Sequence, residues 1–194
     1  MKRNIYISII IFALISVCWA NLSSTSAQLE KLRLRAESTQ NKSDELAYLR
    51  AFPKNYDAFK LTFYGKNLDA LDELYDKHME HLNLLDRLSK KYPNRVLSIW
   101  LSVAINGKWE ADAIGILQHQ LINYAAAHTK HFAESILKKS QNQQLSIIKF
   151  LADVENHYSY NSYQETQTNL ENLGYKELSE QFRKAKQVRE KQPH

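Results

Sequence analysis

Cysteine, glycine and proline are all scarce in this chain, and each scarcity excludes something. With one cysteine, Cys18, no disulfide can form within the chain. An oxidising compartment therefore offers it no covalent staple, and stability must come from packing. Four scattered glycines cannot build a phosphate-cradling loop. Together with only three prolines they also argue against a β-sandwich or barrel, whose many turns use more of both. There is no Gly-x-Ser-x-Gly elbow and no His-Glu-x-x-His helix signature. What remains is a helix-forming chain with 44% hydrophobic residues, a normal share for a globular domain.

The N-terminus has the layout of a secretory signal. Lys2 and Arg3 make a short positive start, an apolar run follows from Ile5 to Val17, and small-x-small sites end at Ala20 or Ala27. Residues 1–27 are assigned to the signal peptide and residues 28–194 to one all-α domain, with Thr25 and Ala27 as the favoured cleavage pair. The apolar run is short for a membrane span, which needs about 20 residues. Contact with a membrane is expected only through an uncleaved signal or a lipid on Cys18. The two basic residues leave with the signal, so the net charge drops from +5 to +3. That is weak attraction for a polyanion, and no nucleic-acid partner is expected.

Apolar spacing sketches about eight helices, as a compact bundle or a short helical-pair solenoid. Residues 28–50 read as a helix interrupted at 38–43, where Ser, Thr and Asn compete for backbone hydrogen bonds. Pro53 opens a short helix that Gly65 ends. Residues 68–91 carry one stripe through Leu68, Leu71, Leu74, His78, Leu82, Leu85 and Leu88, capped by Asn67. Residues 94–106 are apolar nearly all round and read as the central helix. Asn106-Gly107 stops it, and a helix resumes at Trp109, with close helix packing expected at Gly115. Ser140 and Gln143 form a capping box, as do Ser162 and Glu165 after a Tyr-rich loop at 157–161. A last helix, 176–191, ends in a basic stretch expected to fray.

Four constellations are candidates for chemistry. His78 with His81, and His128 with His131, share an i, i+3 spacing that can present two imidazoles to one metal ion. The bland alternative is core or surface histidines. Asp69, Asp72, Glu73, Asp76 and Glu80 offer paired carboxylates for glycoside hydrolysis, or simply a solvated face that suits a helix dipole. Trp109 and Asp112 lie at a junction that is either a pocket wall or a helix corner. Tyr158, Tyr160 and Tyr163 have the composition of an adaptable contact surface.

These observations favour an exported, periplasmic or secreted, helical protein-interaction module without catalysis. An inhibitor, an immunity factor or an envelope accessory would fit. Its partner is expected to be another envelope protein bound through Tyr158, Tyr160, Tyr163, Trp109 and Asp112, with no cofactor. Two other readings stay open. One is an envelope hydrolase using acidic residues or a His-bound metal; the other is a small-ligand binder with a pocket near Trp100 and Trp109.

Overall fold

The computed structural model describes residues 26–65, 74–153 and 157–191. Among the described residues there is no strand; the chain is all-α, with ten helices packed compactly. They are α1 (26–39), α2 (Lys42–Ala51), α3 (Tyr56–Tyr64), α4 (His78–Lys91), α5 (Pro93–Ala104), α6 (Ala113–Ala127), α7 (Thr129–Ile136), α8 (Gln141–Ala152), α9 (His157–Asn172) and α10 (Lys176–Lys191). A 3-10 turn, Tyr75–Lys77, leads into α4. None of the described helices is long and apolar enough to cross a membrane. Residues 1–25 of the signal-like segment, with Asn67, Leu68, Asp69, Leu71, Asp72 and Glu73, lie outside the described residues.

Local chemistry explains the breaks. Gln40 takes φ 48°, which ends α1, and Asn41 then caps α2 by accepting from the Asp44 N–H at 2.9 Å. Asn55 caps α3 in the same way through the Ala58 N–H. Pro93 opens α5 at a position that needs no N–H donor. Ser140 and Gln143 make the expected reciprocal box at the start of α8.

α5 is the hub. Val96, Leu97, Ile99, Trp100, Leu101, Val103 and Ala104 are all buried, and α3, α4, α6, α7 and α8 pack around them. Each of the buried Val, Leu and Ile side chains contributes about 1.5–3 kcal/mol of transfer free energy. α6 forms the second axis, lying between α9 and the α4–α5 pair, and α10 closes over α8 and α9.

Several sequence expectations are corrected. The α4 helix begins at His78, after the 3-10 turn, and its inward stripe runs through His81, Leu82, Leu85 and Leu88; His78 is half-buried and Met79 exposed. The Tyr-rich segment is the first turns of α9, so Ser162 is a mid-helix residue, and its hydroxyl donates to Asn123 Oδ1 at 2.7 Å. Gly115 is approached by the Glu110 carbonyl of the preceding loop, 3.3 Å from where a Cβ would sit, and not by another helix.

Candidate functional site

A buried polar centre joins α1, α2 and α4. Glu30 receives two bonds from Arg33, Nε to Oε2 at 2.7 Å and Nη2 to Oε1 at 2.9 Å. Lys77 Nζ lies 3.2 Å from the same carboxylate. These cations hold the Glu30 carboxyl at about 2, well below its usual range. His81 is fully buried, with Nε2 3.1 Å from Glu30 Oε2 but without hydrogen-bond alignment. Its Nδ1 lies 3.2 Å from the Tyr48 hydroxyl, which also donates to the His81 carbonyl at 3.0 Å. Burial pushes the imidazole down to about 4 despite Glu30, so it is neutral at pH 7. Carboxylate, imidazole and phenol in series resemble a relay. However, Tyr48 and His81 are wholly enclosed by Phe52, Phe63 and neighbouring leucines, which leaves no substrate access at the phenol. This centre fixes the packing of three helices.

The histidine spacings do not gather ligands. His81 faces the core, while His78 sits half-buried with Nδ1 on the Tyr75 carbonyl at 2.5 Å. His131 has both ring nitrogens engaged, Nδ1 with the Tyr124 hydroxyl at 2.7 Å and Nε2 with Asn94 Oδ1 at 2.6 Å. His128 packs its ring on Tyr124, 4.6 Å between centroids. Among the described residues, no three His, Cys, Asp or Glu side chains are grouped to hold a metal ion. Of the acidic run, Asp76 and Glu80 are exposed.

The proposed contact residues separate as well. Tyr163 is a core residue: it is buried and donates to the Phe182 carbonyl at 2.7 Å, pinning α9 to α10, with its phenol pushed far up by burial. Tyr160 is exposed and lies under Lys186, whose Nζ is 4.1 Å from the ring centre. The side chain of Tyr158 lies outside the described residues. Trp109 and Asp112 belong to a helix corner between α5 and α6. Three tyrosines latch that corner: Tyr56 to Glu110 Oε1 at 2.9 Å, Tyr64 to the Ala111 carbonyl, and Tyr75 to Asp112 Oδ2 at 2.8 Å.

The concavity best suited to binding lies elsewhere, between α8 and α10 beside Gly107 and Lys108. It encloses about 570 Å³. Leu145, Ile148, Phe150, Ala152, Ala185 and Val188 give it an apolar wall, and Val188 is 56% exposed. Lys108, Lys149, Lys184 and Arg189 stand around it against one acid, Asp153. Arg189 Nε is 2.6 Å from Asp153 Oδ1, and Asp153 Oδ2 takes the Trp109 N–H at 3.3 Å. Lys184 lies 3.5 Å from Glu180 on its own helix. Lys108 and Lys149 are exposed and have no ion-pair partner among the described residues. Gln181 also lines the groove, and its Oε1 is buried with no hydrogen-bond partner.

Two residues set the shape of this groove. Gln118, buried on α6, donates to the Phe150 carbonyl at 2.5 Å and the Asp153 carbonyl at 2.9 Å, satisfying the C-terminal end of α8. Gly107 lets the Phe150 ring lie where a Cβ would sit, 2.8 Å from Cδ2. The sequence singled out none of the groove residues as a site. The nearest signal was the basic excess of α10, with six cationic and three acidic residues. Comparison with protein-family models, with curated proteins and with solved structures finds no match to this chain.

Proposed function

We propose that the chain is an exported helical binding module without catalytic activity, and that the α8–α10 groove is its binding face. The observation that carries this reading is the groove itself. It joins an apolar wall, a basic rim and a buried amide oxygen without a partner, which is the usual make-up of a recognition pocket. The acid–base groups with perturbed titration sit outside it, and the imidazoles of His81 and His131 are held by internal partners.

Export rests on the positive start and the apolar run of the first residues. Ser26 and Ala27 already belong to α1, and Ser26 is buried. Cleavage after Ala20 would leave α1 whole, whereas cleavage after Ala27 would remove its first residues. We therefore favour cleavage after Ala20, with Asn21 first in the mature chain, over the Thr25–Ala27 site.

One experiment tests both parts. The full chain is expressed with its N-terminal segment, recovered from the envelope fraction, and analysed for its N-terminus, bound molecules and metal content. A specific bound molecule that is lost in an Ala185→Trp variant supports the reading. Retention of that molecule by the blocked variant, or about one equivalent of a transition metal, overturns it.

A further inference from the structure

We infer that the groove's occupant is a single-chain anionic amphiphile, a carboxylate with one alkyl tail. This rests on the binding-face reading above and narrows it. Size argues for a small molecule: about 570 Å³ falls within the 300–1,000 Å³ typical of ligand pockets. A stable protein interface instead needs roughly 800 Å² from each partner. The distribution of polarity argues for an amphiphile, because exposed Val188 and half-buried Leu145 and Ala185 continue outward an apolar wall whose inner part is Ile148 and Phe150.

Charge complementarity gives the sign of the head group. Arg189 is matched by Asp153, and Lys184 leans on Glu180. Lys149 and Lys108 remain as exposed ammonium groups with no acidic partner among the described residues. A carboxylate in the groove would find ammonium groups to donate charge-assisted hydrogen bonds, while an ammonium head would meet four cations and one already engaged acid. Gln181 supplies the neutral contact. Its amide carries both a donor and an acceptor, and the NH₂ can donate to a carboxylate oxygen.

The test is calorimetric titration of the full chain with three probes of equal tail length, each below its micellar concentration: dodecanoate, dodecyltrimethylammonium and dodecyl maltoside. Dodecanoate is expected to bind one to one, about tenfold or more tighter than the cationic probe. Lys149→Glu with Lys108→Glu, both at exposed positions, is expected to weaken dodecanoate about tenfold while leaving the helical circular dichroism unchanged. Gln181→Leu should weaken it too, and Ala185→Trp should abolish it. Equal binding of all three probes, lost in Ala185→Trp, overturns the anionic class but leaves the groove as the binding face. No binding of any probe, with a protein still captured through the groove, does the same. Dodecanoate binding that survives Ala185→Trp overturns both.

Discussion

Acidification should loosen this protein earlier than carboxylate protonation would, because of one buried imidazole. His81 sits at about 4 in the folded chain, against 6.5 when exposed, with burial as the main cause. The unfolded chain therefore takes up a proton between pH 6.5 and 4 that the folded chain refuses. Stability from this group is complete above pH 6.5 and falls as the pH drops toward 4. A gap of 2.5 pH units is worth about 3 kcal/mol over the whole window, and about 2.5 kcal/mol between pH 7.5 and 4.5. Glu30 acts lower, since its carboxyl is held at about 2, and its contribution disappears only as the pH falls below about 4.5. Urea unfolding at pH 7.5 and 4.5 separates the two, with His81→Gln as the comparison. The wild type should lose about 2.5 kcal/mol more than the variant on going to pH 4.5. Equal losses, within about 0.5 kcal/mol, would refute a neutral, buried His81.

Three further outcomes follow from named contacts. Glu30→Gln leaves the buried Arg33 with Glu37 as its acidic partner, and a loss of about 2–4 kcal/mol is expected in urea unfolding at pH 7. Gln118→Ala orphans the Phe150 and Asp153 carbonyls and should cost about 1–3 kcal/mol, with the melting temperature as the readout. Gly107→Ala forces a Cβ against Phe150 and the Ala104 carbonyl, so a loss of about 1–3 kcal/mol is expected. The same variant should reshape the groove and alter dodecanoate affinity even where the chain stays folded.

The legible part of this sequence was periodic or local. A segment apolar on nearly every side, 94–106, became the central helix because only a helix covered all round can use that pattern. The Ser140–Gln143 box and the break at Gln40 and Asn41 were readable because their chemistry spans four residues. The polar centre was not, because Glu30, Tyr48 and His81 come from three helices and meet only through tertiary packing. Reading His78 as inward and His81 as a free ligand failed for a related reason. The helix starts at His78, later than the stripe implied, and the core partner of the imidazole lies 33 positions away. The tyrosine run misled by composition: Tyr163 buries its ring and satisfies its hydroxyl, a combination that polar loops and helix starts share. The groove was invisible because its walls come from two helices and a corner with ordinary residues in each.

How the groove opens follows from where α10 is anchored. Its first half is buried through Leu178, Ser179 and Phe182, with Phe182 packed on Phe132 and Tyr163. Its second half touches the body through Ala185, partly buried against the core, and through two polar contacts, Arg189 on Asp153 and Lys186 over Tyr160, and leaves Val188 exposed. Part-buried ion pairs and cation–π contacts of this kind are worth about 1–2 kcal/mol each, whereas fully burying a Phe is worth about 3 kcal/mol. The C-terminal half of α10 is therefore the less firmly held wall of the groove. Amide hydrogen exchange should show protection falling after Ala185 while residues 178–182 exchange slowly. Dodecanoate should raise protection in the second half alone, because a tail seated against Ala185 and Val188 adds apolar contact where the free protein has little. Uniform protection along α10, or a uniform rise with ligand, would mean that the helix moves as one piece and that the groove is a fixed cleft.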